Sequence, residues 1–311
     1  MKACVDIGGT KVAVSLAEDG QRELQARQAE PTAKEGSPDV VAQQVIRLID
    51  AACAQLGVPP SAVDGVGVAA AGPFVLDADG AVELATPNIC GGLAGPARGL
   101  PNDWTRAPIE APLRRRFGGR VRVENDAVAA LEAERRWGAL QGLDHCAYVT
   151  WSTGVGIGLC VDGHTLRGKN GNAGHAGHSF VADDDNQHAL CGCGNVGDVE
   201  GLVAGNAIER RFGMPAAQLF GAARAGDARA LEITDGLVRV MGRLLYNLVV
   251  TLDLQRVSLG GSVFLHNRDL LLPRLQAQID GRLPALTQGV RLAAAGLGEQ
   301  VGDYAALALV A

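Results

Sequence analysis

With 311 residues the chain is long for one hydrophobic core and fits two domains. A composition of 47% hydrophobic and 20% charged residues excludes disordered and fibrous classes, while 4% aromatic content and 42 glycines point to many tight turns and close packing of small side chains. The net charge of −6 argues against nucleic acid as a bulk partner, because a phosphate backbone needs a basic footprint, yet allows a small anion held by backbone amides.

The N-terminus enters a strand by the third residue, without a basic n-region, apolar h-region or cleavage site, so a cytoplasmic protein is expected. The most apolar stretch, Leu244 to Leu254, contains Asn247 and Asp253 and is too short to span a bilayer, so no membrane partner is expected. Five of the seven cysteines are scattered singly, which is no disulfide framework; Cys191-Gly192-Cys193 is the one suggestive pair.

In chain order, Ala3 to Ile7 and Lys11 to Leu16 read as strands joined by Gly8-Gly9-Thr10, where a glycine pair supplies the positive φ of a tight hairpin. Such a loop of bare amides, with Thr10 and Lys11 beside it, can hold phosphate oxygens, and Asp6 just before it can hold Mg²⁺ through water. A strand near Gln25 to Ala29 and a helix from Pro38 to Gln55 follow, the helix broken at Gly57-Val58-Pro59-Pro60. Gly65 to Ala71 is a small-residue strand, followed by a hairpin over Asp77-Ala78-Asp79-Gly80. The Gly/Pro-rich run from Ala85 to Trp104 is too long to be an idle loop, and its Asn88 and Asn102 suit hydroxyl ligands.

Leu113 to Phe117 closes a helix, and Arg120-Val121-Arg122-Val123 alternates as a half-buried strand that runs into Glu124-Asn125-Asp126 and an Ala/Glu-rich helix. A carboxylate is thereby held at a strand-to-helix corner, where open α/β sheets place ligand chemistry. The plainer reading is that Asp126 is only an N-cap there, its oxygens accepting the free amides of the first turn. Its company argues for a general base: Asn125 is a polar positioner, and three glycine turns elsewhere each follow a strand. The helix N-terminus is expected to keep Asp126 ionised.

Cys146 to Trp151 leads into Ser152-Thr153-Gly154-Val155-Gly156 and a second strand, repeating the N-terminal unit of strand, Gly/Thr turn, strand and Asp-Gly turn, so the chain reads as internally duplicated. Gly174-His175-Ala176-Gly177-His178, the acidic loop Asp183-Asp184-Asp185-Asn186-Gln187-His188, and Cys191-Gly192-Cys193 with Asp198 and Glu200 gather zinc-type ligands within a short span. Helices are expected over Glu200 to Phe212, Ala228 to Val240 and Val240 to Leu254. Arg256 to Leu259 is a strand entering a third glycine turn, Gly260-Gly261-Ser262, suited to a nucleotide. Val290 to Ala294 is a last strand, and the apolar helix from Tyr304 to Ala311 is expected to dock on the first domain.

Asp6 to Lys11, Glu124 to Ala127, Ser152 to Gly156, Gly174 to His178, Cys191 to Gly194 and Leu259 to Ser262 together resemble the ROK family of sugar kinases and repressors, in family order over nearly the whole chain. The resemblance implies an α/β, actin-like (ribonuclease-H-like) fold of two domains, with sugar and ATP meeting in the cleft. The domains are expected at residues 1–117 with about 293–311, and 118–292. By the same resemblance Asp126 is the catalytic base, and Asn88, Asn125, His175 and Glu200 are sugar ligands, with His178 carried to the sugar on the same loop. Gly8, Gly9, Thr10, Lys11, Thr153, Gly154 and Gly156 form phosphate loops, and Gly260, Gly261 and Ser262 contact adenosine. ATP with Mg²⁺ is implied, and a homodimer is expected.

Family members carry Gly-Glu-x-Gly-His where this chain has His175 in the Glu position, which is similar to bacterial N-acetylmannosamine kinases. N-acetylmannosamine is therefore the expected substrate; glucokinase, fructokinase and a sugar-binding protein without turnover are the alternatives. A repressor of the family would carry a helix-turn-helix ahead of the first glycine turn, and only five residues precede Asp6. The family's third zinc cysteine is Asp198 here. Two possibilities stay open: no zinc, or structural zinc on His178, Cys191 and Cys193 with Asp198 or His188 as fourth ligand.

Overall fold

The first glycine turn joins two strands as expected. β1 (Lys2–Ile7) and β2 (Lys11–Ala17) pair antiparallel with Ile7 opposite Val12. β3 (Gln25–Pro31) extends the sheet beyond β2, and the apolar positions of α1 (Val40–Leu56), Val41, Val45, Leu48, Ile49 and Ala52, recur at helical spacing and are buried. Gly57, at φ 69°, ends α1 in the left-handed conformation. β4 (Gly65–Ala70) lies parallel to β1, its small side chains fully covered. A separate small sheet holds β5 (Phe74–Leu76), β6 (Val82–Leu84) and β7 (Ala107–Pro108). After α2 (Glu110–Phe117), β8 (Arg120–Asn125) runs parallel to β4 and leads directly into α3 (Asp126–Trp137). The first sheet is ordered β3-β2-β1-β4-β8.

The second sheet repeats this plan. β9 (Cys146–Trp151) pairs antiparallel with β10 (Val155–Val161) and β10 with β11 (His164–Thr165). Four helices follow: α4 (Val199–Val203), α5 (Gly205–Phe212), α6 (Ala216–Arg224) and α7 (Ala228–Leu252). β12 (Arg256–Gly260) is parallel to β9. After α8 (Ser262–Leu265), α9 (Arg268–Ile279) and α10 (Pro284–Thr287), β13 (Arg291–Ala294) is parallel to β12. The order β11-β10-β9-β12-β13 matches the first sheet strand for strand, in sequence order and in direction, so the internal duplication is real. α11 (Val301–Ala308) ends the chain against β1 and β4, as its apolar sequence predicts.

The computed structural model describes residues 1–93, 99–118, 120–182 and 187–311; the acidic run Asp183-Asp184-Asp185-Asn186 and residues 94–98 of the long loop lie outside the described residues. Two units result, one of Met1–Ala133, Arg167–Ala173 and Gln300–Ala311, the other of Glu134–Leu166 and Gly174–Glu299. The boundary therefore differs from the expected residue 117, because β8 hydrogen-bonds to β4 and brings the start of α3 with it. Likewise β13 pairs with β12, so residues 293–299 belong to the second unit. Residues 167–173 join the first unit through Asn172, whose side chain accepts from the Phe74 amide and donates to the Phe74 carbonyl, both at 2.8 Å.

Two helix expectations also change. Residues 228–252 form one helix rather than two, and the segment from Glu200 to Phe212 breaks at Ala204, whose ψ of 153° is not helical. Among the described residues no helix is long and apolar enough to cross a membrane.

Candidate functional site

β1, β4 and β8 run parallel, so their C-terminal ends share one edge of the first sheet. Asp6 lies level with Ala69 and Glu124, and Ile7 with Ala70 and Asn125, which puts Asp126 one residue beyond that row. Asn125 is the true cap of α3: its Oδ1 accepts the Ala127 amide at 3.0 Å. Asp126 already belongs to the first turn and accepts the same amide at 2.8 Å. The capping role does not need Asp126.

The Asp126 side chain is open to solvent, yet protein closely surrounds it. Hydration of a charge depends on water well beyond the first contact, so this loss of bulk water raises its pKa to about 6, against the opposing Ala127 hydrogen bond and with further upward pressure from Asp6. Desolvation thus outweighs the pull of the helix N-terminus, while a carboxyl with a pKa near 6 is still largely ionised at neutral pH. Asp6 shows the same pattern, raised by burial although Lys11 and Arg27 favour its charge.

The neighbouring loop departs from expectation in detail. Neither Gly8 nor Gly9 has a positive φ. Glycine is required at 9 because a Cβ there would lie 2.7 Å from the Asn88 Cβ, so the loop packs directly on Asn88. The loop is fastened from behind by Thr32, whose hydroxyl donates to the Gly8 carbonyl at 2.7 Å. Thr10, Lys11 and Asn88 are exposed beside it. Asn102, expected to serve a hydroxyl ligand, is structural instead: its Oδ1 accepts the Gly91 amide at 2.7 Å and its Nδ2 donates to the carbonyls of Lys34 and Ile89.

In the second unit, Gly174 and Gly177 lie against β10, where a Cβ would come within 2.2 Å of the Ile157 carbonyl oxygen and 2.3 Å of that of Val155. That close approach fixes His175 and His178 beside the second hairpin, their ring centroids 6.1 Å apart. His178, Cys191, Cys193 and Asp198 come together with their ligand atoms all within 4.8 Å of one another. Contacts run from His178 Nδ1 to Asp198 Oδ2 at 3.2 Å, from Cys191 Sγ to His178 Nδ1 at 3.4 Å and from Cys193 Sγ to Asp198 Oδ2 at 3.4 Å. Tetrahedral zinc at about 2.0–2.3 Å from each ligand separates the ligands by roughly 3.3–3.8 Å. These three contacts come near that spacing, and the cluster as a whole, bounded at 4.8 Å, has the donor types zinc takes but is looser than a closed site. Asp198 divides its carboxylate, since Oδ1 caps α4 by accepting the Gly201 amide at 2.7 Å while Oδ2 faces the cluster. Burial opposes its charge, but His178, the Gly201 amide and the thiols together hold its pKa below the usual range. His188, the other candidate ligand, is exposed and outside this group.

Glu200 sits between the cluster and the hairpin. Its carboxylate accepts from the Cys191 thiol at 3.2 Å and from the Val155 amide at 2.9 Å. A side chain on Gly154 would meet Glu200 at 2.8 Å, which accounts for that glycine. Thr153 and Gly156 flank it in the same loop and strand. Gly260 and Gly261 are packed on β9: a Cβ on Gly261, itself at φ 84°, would lie 2.5 Å from the Trp151 carbonyl oxygen, and Ser262 then opens α8.

Sequence reasoning missed Glu134. Fully buried, it accepts from the Ala139, Gly296 and Leu297 amides and the Ser258 hydroxyl at 2.8–3.0 Å, tying α3 to β12 and to the turn after β13. An Ala/Glu-rich helix gives no local sign that one of its glutamates faces inward.

The doubled sheet, with its carboxylates at the ends of parallel strands, is the actin-like α/β fold. The chain belongs to the ROK family, whose sequence profile matches residues 2–311. It is 29% identical to a glucokinase of Aeropyrum pernix over 98% of this chain and 95% of the relative. It is 30% identical to an N-acetylmannosamine kinase of Haemophilus influenzae over 83% of this chain and 79% of the relative. Among solved structures it resembles a ROK family glucokinase from Streptomyces griseus in complex with glucose and AMPPNP, at 27% identity and a TM-score of 0.70, covering 98% and 97% of the two chains.

Proposed function

We propose that this chain is an ATP-dependent sugar kinase, transferring the γ-phosphoryl group to the 6-hydroxyl of a hexose or N-acetylhexosamine and preferring N-acetylmannosamine. The observation that carries this reading is Asp126: an accessible carboxylate with a pKa near 6, at the end of a parallel strand, beside Asp6 and an amide-lined glycine loop. A carboxyl with that pKa is largely ionised at neutral pH and is a stronger base than an ordinary aspartate. Asp126 accepts the hydroxyl proton as the oxygen attacks phosphorus, and Asn125 and Asn88 orient the sugar. The amides around Gly8 to Lys11 and Thr153 to Gly156 receive phosphate oxygens, and Gly260 to Ser262 meet the adenosine. Mg²⁺, when bound with ATP, neutralises phosphoryl charge. Asp6 suits it through water, because its own raised pKa and its effect on Asp126 mark a place where a cation is favourable.

The same reading gives zinc a structural role on His178, Cys191, Cys193 and Asp198. All four ligands come from the protein, leaving no position for water, and the ion would lock the loop that presents His175, His178 and Glu200 to the sugar. His175 in place of glutamate, and the likeness to an N-acetylmannosamine kinase, support the choice of sugar. The likeness to glucokinases supports glucose as the second reading. Coupled measurement of ADP release over a panel of hexoses and N-acetylhexosamines decides between them: the largest kcat/KM is expected for N-acetylmannosamine. A larger value for glucose would move the substrate, and no release with any sugar would sink the kinase reading. The expected homodimer belongs with this reading, and sedimentation of the purified chain tests it.

A further inference from the structure

A cavity of about 440 Å³ lies within the first unit; its lining includes Glu124 of the motif used above, but not Asn125, Asp126, Asp6 or the glycine loop. Its wall includes five consecutive residues of β8, Arg120 to Glu124. Successive side chains of a strand point to opposite faces, so a cavity lined by all five runs along the strand's edge. β8 is the outermost strand of its sheet, and this is the edge that β4 leaves open. The wall also includes the segment Arg167 to Gly171, held in place by the paired hydrogen bonds of Asn172 to Phe74.

The charge lining the cavity is lopsided. Arg114, Arg120, Arg122, Arg167 and Lys169 face two carboxylates, Glu110 and Glu124. Arg114 pairs with Glu110 at 2.7 Å, both Arg122 and Arg167 turn to the buried Glu124, and Arg122 also reaches Glu132 at 3.6 Å. Among the described residues neither Arg120 nor Lys169 pairs with a carboxylate, and both are exposed. Burial, and then the neighbouring Arg122 charge, disfavour the Arg167 cation, while Glu110 favours it.

We propose that this cavity binds a small phosphate monoester at a site separate from Asp126. Guanidinium forks match phosphate oxygens, and a dianion answers the excess cations better than a single carboxylate does. Phe74, Leu76 and Val82 offer apolar wall to the rest of the ligand, and the volume is that of a small-molecule site. A peptide adding as a further strand is disfavoured, because residues 167–171 already lie along that edge. The phosphate belongs either to a sugar phosphate or to a nucleotide.

Isothermal titration calorimetry of the intact chain tests this with glucose 6-phosphate, AMP, inorganic phosphate and citrate as separate titrants. Saturable binding of one phosphate ester, tighter than phosphate or citrate, is expected, and glucose 6-phosphate against AMP identifies the source. Affinity should fall by about tenfold or more in Arg120→Ala and in Lys169→Ala, the loss of a charge-assisted hydrogen bond, and should be unchanged in Asp126→Asn. The two cations lie on different segments and are exposed, so unfolding of one variant leaves the other informative, with melting temperature as the check. Equal affinity in folded Arg120→Ala or Lys169→Ala, loss of binding in Asp126→Asn, citrate binding tightest, or no binding of either ester would each overturn the proposal.

Discussion

The two units share strand order, strand direction and a glycine hairpin after the first strand, yet they hold their carboxylates in opposite ways. In the first unit Asp126 has its charge opposed by burial and by Asp6, and it remains open to solvent. In the second unit Asp198 is buried and Glu200 half-buried, and both are held by hydrogen bonds from an imidazole, thiols or backbone amides. A duplicated scaffold thus separates two tasks. One copy keeps a basic, reachable group at the strand ends; the other uses similar groups to fix a loop.

The sharpest break between the copies should come from matched substitutions. Asp126→Asn removes the proposed proton acceptor while Asn125 still caps α3, so turnover should fall by about 10²-fold or more with little change in melting temperature. Asp198→Asn should do the reverse, lowering melting temperature and raising the sugar KM more than it lowers kcat. Near-normal turnover in Asp126→Asn would erase the distinction.

Metal removal probes the second copy alone. Protein purified without chelator should carry one zinc per chain by elemental analysis, and chelation should lower the melting temperature and raise the sugar KM. Zinc retention should be lost in Asp198→Ala and kept in His188→Ala, since His188 stands outside the cluster. Stoichiometric zinc in both variants would show that the fourth ligand is another group.

A smaller effect is expected where a carboxylate serves packing only. Glu134→Gln leaves a buried site that receives four hydrogen-bond donors without the charge that attracts them, and should cost about 2 kcal/mol in denaturant unfolding. An unchanged midpoint would show that the amide satisfies the same donors. Smaller still, His175→Glu should move the ratio of kcat/KM values from N-acetylmannosamine toward glucose by about tenfold, because hydrogen-bonding sites discriminate by the groups they leave unpaired. No movement would remove His175 from specificity.

Much of this was legible because it is written locally. The Gly8-Gly9-Thr10 and Ser152-Thr153-Gly154 turns, the break of α1 at Gly57-Val58-Pro59-Pro60 and the cluster from His178 to Asp198 need only neighbours in sequence. What stayed hidden depends on partners far along the chain. Nothing in Arg120 to Asn125 says that it will pair with β4, which is why the domain boundary shifted. Asn102 looks like any exposed loop asparagine until Gly91, Ile89 and Lys34 surround it. Gly9 reads as a turn former, whereas its lack of a side chain makes room for Asn88. The direction of the Asp126 pKa depends on how much protein gathers around it, which no motif encodes.

That pKa gives the most direct test of Asp126 as base. Its folded value, near 6, lies above the ordinary 3.8, so the folded chain binds the extra proton between those values and loses stability from this group as pH rises through that window. Activity runs the other way, because only the ionised carboxylate accepts a proton. With the preferred sugar, kcat/KM measured from pH 4.5 to 8 should be level above about 6.5 and fall about tenfold per pH unit below 6. A profile that stays level down to pH 4.5 would contradict the assignment.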